Sequence, residues 1–248
     1  MTYPRLLVSV RDSEEASAAR DGGVDLIDIK EPAHGPLGMA ERGTMEHIVR
    51  TVDSARPISV ALGELHEFVT MRIPEGVQYA KIGLANAPPD WRERLVEAFQ
   101  ATHVKYPIAT AYADYPRVAA PAVDQVLDWA LQNRAAGLLI DTAVKDGRIL
   151  FDWLTDEQLS QIVRRAHRGG LLVAVAGSLR IEAMPRCCQV GPDLIAVRGA
   201  ACRQSDRSDR VSLARVRELV QVIATHSVGA DSHEDRPARS APNLAMFG

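Results

Sequence analysis

Lysine is scarce in this chain. Of 29 lysines and arginines, only Lys30, Lys81, Lys105 and Lys145 are lysine. Three of these four lie at or just after short apolar runs that read as buried strands. On a solvated surface the two residue types are interchangeable, so a chain this rich in arginine keeps lysine where a guanidinium cannot act. The job closed to arginine is amine chemistry: a desolvated or cation-crowded ε-amine loses its proton and attacks a carbonyl, whereas arginine stays protonated. Compositional drift in an arginine-rich genome is the bland alternative, and it would scatter the four lysines without regard to the strands.

The elements that must position these amines recur along the chain. Eight short apolar, β-branched runs occur at 5–10, 25–30, 58–63, 79–84, 107–114, 137–142, 171–177 and 194–200. Between them lie stretches with helical periodicity, among them 13–23, 44–55, 91–102, 122–137 and 156–170, and a closing helix is expected at 211–226. Strand and helix alternating eight times predicts an α/β fold of the (β/α)8 TIM-barrel type, with a doubly wound open sheet as the structural alternative. Ser13 and Glu15 read as a helix start, and Gly22-Gly23 and Gly169-Gly170 as stops. The segment 64–78 is the weak unit, with room for only a short helix. One barrel domain over 1–226 is expected, followed by a polar, Pro/Ser-rich tail at 227–248 expected to be disordered.

Composition narrows the function. A hydrophobic fraction of 46% and a charged fraction of 25% are those of a soluble globular chain. Net charge of −3 gives no general basic field for nucleic acid or an anionic membrane, so any anion site must be local. The first residues are too weakly apolar for a signal peptide, and no run of about 18 apolar residues could cross a bilayer, which predicts a cytoplasmic protein. Cys187, Cys188 and Cys202 show no CxxC spacing and the histidines no HxH or HExxH pairing, so neither a metal nor another cofactor is expected. A homo-oligomer is expected only because barrels of this size often associate.

In such a barrel the active site forms at the C-terminal ends of the strands. The residues closing the runs are Asp28 and Lys30, Lys81, Tyr112 and Asp114, and Asp141, with Lys145 four positions later. Strand alternation places Asp28 and Lys30 on one face, where the carboxylate can orient the amine. Several lysines in a partly closed mouth lower one another's pKa, and desolvation acts in the same direction, so one amine can be neutral at pH 7 and condense with an aldehyde or ketone. The imine acidifies the adjacent carbon, and a second amine or carboxylate moves the proton. Lys105 precedes its strand and is read as structural, and His34 is left without a role. Runs seven and eight end in Gly177-Ser178 and Arg198-Gly199, where loops of such barrels bind phosphate through backbone N–H groups, so a phosphorylated substrate is expected. The loop EPAHGPLG at 31–38 reads as a lid or a rigid connection.

The stretches LLVSVRDSEEASAARDGGVDLIDIKEPAHGPLG, YAKIGL, AYADYPR, LIDTAVKDG, VAGSL and IAVRGAAC, in order over about 6–203, resemble those of the (5-formylfuran-3-yl)methyl phosphate synthases, or 4-HFC-P synthases, of methanofuran biosynthesis. The resemblance rests on D-x-K-x-P with its G-x-L-G loop and on D-T-A-x-K-D-G. It implies a (β/α)8 lyase that condenses two molecules of glyceraldehyde 3-phosphate into a phosphorylated hydroxymethyl-furan aldehyde, releasing one phosphate and water. It places the Schiff-base lysine on Lys30 and the proton acceptor on Lys81, with Asp28, Asp141 and Lys145 at matching active-site positions. The chain departs from the family pattern at Glu31, where archaeal members tend to carry Asn. Another class I aldolase acting on a phosphosugar, and a non-catalytic barrel binding a phosphometabolite, are the alternatives.

Overall fold

The computed structural model describes residues 4–227. Eight parallel strands close a barrel in chain order: β1 Arg5–Val10, β2 Leu26–Ile29, β3 Ile58–Glu64, β4 Tyr79–Gly83, β5 Tyr106–Tyr112, β6 Gly137–Asp141, β7 Leu172–Val175 and β8 Leu194–Val197. The ring closes where Arg5 to Val8 of β1 pair with Leu194 to Val197 of β8. The open-sheet alternative is thereby excluded.

The helices are α1 Ser13–Gly22, α2 Arg42–Val52, α3 Trp91–Thr102, α4 Val123–Gln132, α5 Asp156–Arg168, α6 Met184–Val190 and α7 Leu213–Ser227. Between β3 and β4 there is only a 3-10 turn at Leu65–Glu67, as the weak periodicity of 64–78 implied. The short α6 was not visible as periodicity: it is seven residues long, with Pro185 in its first turn. The expected tail at 227–248 lies outside the described residues apart from Ser227, which ends α7. No helix among the described residues is long and apolar enough to cross a membrane.

Local signals explain the boundaries. The start of α1 is capped by Asp12, one residue earlier than expected, because its side chain accepts from the Glu15 N–H at 2.9 Å. Gly23 stops the helix in the left-handed conformation at φ 92°. At α5, Thr155 and Gln158 cap each other reciprocally, satisfying two otherwise orphaned donors.

Strand alternation divides the apolar residues into two cores. Outward residues such as Val8, Ile27, Val60, Ile82, Ile140 and Val173 join the helices in a continuous layer. Inward residues form a separate, smaller cluster including Leu7, Leu26, Tyr79, Leu139 and Leu194. Within it, β7 contributes Ala174, with Ala176 just after it, and β8 contributes Ala196, small side chains beside the larger Leu7, Leu26, Tyr79 and Leu139. That difference in volume leaves space under one side of the mouth.

Candidate active site

Above the inward cluster, at the C-terminal ends of the strands, lies a cavity of about 380 Å³. Asp28, Lys30, Lys81, Asp141 and Lys145 all line it, as do Gly177, Ser178, Arg198 and Gly199. The barrel therefore brings these nine expected residues to one place, although they are spread from 28 to 199.

Asp28 sits at the centre of a buried network. Its Oδ2 accepts from Ser9 Oγ at 2.8 Å, its Oδ1 accepts from Ser59 Oγ at 2.6 Å, and Lys81 Nζ donates to the same Oδ1. Register explains the meeting, since Ser9 pairs with Asp28 across β1 and β2, and Asp28 with Ser59 across β2 and β3. The partner of Asp28 is thus Lys81, not Lys30 as the two-residue spacing suggested. Lys81 comes from β4, two strands away, and reaches Asp28 past Ser59 of β3, whose Oγ lies 3.5 Å from its Nζ.

Lys30 is held differently. Its Nζ donates to the backbone carbonyl of Pro36 at 3.2 Å, in the loop that follows β2. That loop folds back on itself, with Glu31 N–H donating to Gly38 O at 2.8 Å. A Cβ at Gly38 would lie 2.2 Å from Glu31 O, so only glycine permits the closure. Glu31 Oε1 accepts from Ala33 N–H at 2.9 Å and caps the turn Pro32–His34, so its carboxylate serves the loop backbone. Burial pushes the Lys30 amine down from its ordinary value to about 8, against the opposing fields of Asp141 and Asp28 and with help from Lys145 and Lys81.

Asp141 Oδ1 accepts from Lys145 Nζ at 2.9 Å and from Thr142 N–H at 2.7 Å. Burial alone would raise this carboxyl, but Lys145 and Lys30 hold it below its usual range. Asp28 and Asp141 are therefore engaged by lysines other than Lys30, which leaves the Lys30 amine with only a neutral acceptor.

Other expectations change. Tyr112 and Asp114 do not reach the cavity: Tyr112 OH donates to Glu64 Oε1 at 2.6 Å, and Asp114 accepts from the N–H groups of Ala143 and Val144 at 2.7 and 2.9 Å. Asp114 thereby shapes the loop carrying Lys145. Lys105 lies before β5 with its Nζ 4.9 Å from the centre of the Tyr106 ring, outside the mouth. His34 is exposed on the β2 loop.

The two glycine loops differ. Gly177 has φ 110°, and a Cβ there would lie 3.0 Å from Thr142 Cγ2, so the chain needs glycine to turn beside β6. No acceptor among the described residues takes the N–H groups of Gly177, Ser178, Leu179 and Arg180. On the β8 side the Arg198 guanidinium is engaged elsewhere, donating to Glu15 Oε2 at 2.8 Å, Ser9 O at 3.0 Å and Arg207 O at 2.7 Å. Sequence reasoning missed Glu15, Ser9, Ser59, Arg180 and Arg207. The two serines had a visible signal, a hydroxyl inside an otherwise apolar run; the others had none.

Lys30, Lys81, Lys145, Arg180, Arg198 and Arg207 face a cavity whose carboxylates are Asp28, Asp141 and Asp206. The surplus is cationic although the chain carries −3 overall. A closed (β/α)8 barrel with buried amines and carboxylates gathered at its C-terminal mouth is the architecture of a barrel enzyme. Solved structures with the same fold include thiamine phosphate pyrophosphorylase from Pyrococcus furiosus, with a TM-score of 0.60, 13% identity and coverage of 90% of this chain and 96% of that one. Phosphoribosyl anthranilate isomerase from Thermus thermophilus has a TM-score of 0.60 at 16% identity, covering 89% and 98%. A family model described as 4-HFC-P synthase matches residues 6–220. The (5-formylfuran-3-yl)methyl phosphate synthase of Methanopyrus kandleri is 35% identical over 240 residues, covering 89% of this chain and 99% of that protein. The synthase of the same name from Methanothermobacter thermautotrophicus is 32% identical over 235 residues, covering 88% and 98%. The chain belongs to the 4-HFC-P synthase family, the enzymes of methanofuran biosynthesis that its motifs resemble.

Proposed function

We propose that this protein is a Schiff-base lyase that condenses two molecules of glyceraldehyde 3-phosphate into 4-(hydroxymethyl)-2-furancarboxaldehyde phosphate, for a methanofuran-type cofactor of one-carbon metabolism. Atoms balance with loss of one phosphate and two waters. The observation that carries the reading is the Lys30 amine: buried at the cavity, touched by no carboxylate and pushed down to about 8. About one amine in ten is then neutral at pH 7, enough to attack an aldehyde carbon.

Attack by Lys30 Nζ gives a carbinolamine, whose hydroxyl must leave as water. Lys81, held by Asp28, is the ammonium placed to protonate it. Having given its proton, the Lys81 amine is the base that removes the proton from the carbon next to the imine, and the resulting enamine attacks the second aldehyde. Lys145, held by Asp141, is the second proton donor, suited to the dehydration and phosphate-release steps that close the furan ring. The Gly177-Ser178 loop and the cationic residues on the β8 side hold the phosphates.

Borohydride trapping tests this. After incubation with glyceraldehyde 3-phosphate and reduction, a triose adduct on Lys30 and a product with the near-ultraviolet absorbance of a furan aldehyde are expected. Substrate binding with no lysine modified would sink the imine mechanism and leave a non-catalytic phosphometabolite-binding barrel.

A further inference from the structure

Arg198 is the arginine that its position after β8 offers for a phosphate, but the fold gives it other work. All five of its N–H donors have protein acceptors: Glu15 Oε2 and Ser9 O for Nη1, Glu15 Oε1 and Asp209 O, both at 3.3 Å, for Nη2, and Arg207 O for Nε. It is buried against a buried glutamate, a pair that neutralises itself.

One of those acceptors is the backbone of Arg207. The chain after β8 turns back over Gly199, where a Cβ would lie 3.1 Å from Ser205 O, and is tied off by the bridge between Cys202 and Val211. Arg198 Nε clamps the Arg207 carbonyl at 2.7 Å in this returning segment. The Arg207 side chain is half-buried and lines the cavity. One end of its guanidinium is fixed: Nη2 donates to Pro32 O at 3.1 Å and Gly35 O at 3.0 Å, in the same loop whose Pro36 carbonyl holds Lys30. Among the described residues no acceptor is recorded for its Nε or Nη1.

We propose that Arg207 is the guanidinium that recognises the phosphate group of the substrate, an assignment that rests on the phosphate-ester reading of this cavity. A guanidinium whose Nη2 is held by two carbonyls keeps its charge, its Nε–H and its two Nη1–H donors for an anion in a set orientation, and loses little freedom on binding. Lysine cannot replace it, because an ammonium that bridges the two loop carbonyls keeps one donor for the anion, where the guanidinium keeps three. Arg207 also joins the β8 segment to the β2 loop, so a phosphate it holds is placed in the same frame as the Lys30 amine.

The test uses inorganic phosphate, whose binding needs no imine, so it is independent of trapping at Lys30. Calorimetric titration of the full chain is made on wild type and on Arg207→Gln, which keeps a polar side chain but removes the guanidinium and its charge. Binding weaker by about tenfold or more, in a chain that still melts cooperatively, is the expected result, since a charged hydrogen bond of this kind is worth at least that factor. A variant that binds phosphate within about twofold of wild type, or a wild type that binds none, overturns the assignment. A second measurement needs no variant. Phenylglyoxal labelling of wild type, mapped by peptide mass spectrometry, should show Arg207 protected by phosphate, and labelling of Arg207 that is indifferent to phosphate would overturn the assignment equally. Failure of imine trapping with phosphate binding intact would fall on the proposed mechanism, not on Arg207.

Discussion

The two sides of the barrel mouth are built on different plans. On one side β2, β4 and β6 carry Asp28, Lys81 and Asp141 as inward strand residues, with Lys30 immediately after β2. On the other, β7 carries Ala174, with Ala176 just after it, and β8 carries Ala196, and the polar groups come from the segments beyond them. Strand residues are fixed by the ladder and by the packing behind them, which suits groups that must meet a reacting atom within a few tenths of an ångström. Small residues leave volume, and loops bring unpaired N–H groups and arginines to it, which suits holding an anion. The comparison predicts that chemistry and substrate grip are separable here, so that one side can be damaged while the other still stands.

The largest break is Lys30→Met, which should abolish borohydride trapping and lower product formation by on the order of a thousandfold. The same change should stabilise the fold. The amine is pushed from 10.5 down to about 8, so burying its charge costs up to about 3 kcal/mol. That penalty is complete below about pH 8 and gone by about pH 10.5, where the amine is neutral folded or unfolded. Urea denaturation at pH 7 and at pH 10 should therefore show the variant's advantage at the lower pH only.

Next comes Asp28→Asn, which leaves the Lys81 ammonium buried without its counter-charge. Turnover should fall by about a hundredfold and stability by about 3 kcal/mol, read by product assay and denaturation. On the opposite side, Ala176→Leu should leave Lys30 trappable by small unphosphorylated aldehydes while raising KM for the triose phosphate by about tenfold, because the side chain fills the space that the alanines leave. Equal loss with both aldehydes would show that the two sides are not separable. The smallest effect is a shift. Trapping on wild type should rise with pH to a midpoint near 8, and Asp141→Asn should move that midpoint lower, because Asp141 is the larger of the two carboxylate fields holding the Lys30 proton.

The catalytic side was legible in the chain and the gripping side only in part. Asp28, Lys81 and Asp141 announce themselves because an ionisable residue inside an apolar run is costly without a purpose, and their strands fix which way they face. Pairing was not legible: spacing put Asp28 with Lys30, while the register of β1, β2 and β3 sets it between Ser9 and Ser59, and Lys81 reaches it from β4. Arg198 was read as a phosphate ligand from its position, and the structure engages it with Glu15 from the start of α1 instead. Arg207 lies in a polar stretch that resembles many others, and nothing local marks it.

By itself, then, the sequence determined the eight strands, six of the seven helices among the described residues, and the end of the barrel where the scarce lysines and the buried carboxylates gather. These depend on periodicity and on the energetic cost of burying charge, both of which act within a few residues. Tertiary structure decided which carboxylate holds which amine, which arginine is already satisfied, and which one reaches across the mouth to the loop that orients Lys30. Those are contacts between residues as far as 189 positions apart, as with Ser9 and Arg198, and only closure of the barrel brings them within hydrogen-bond distance.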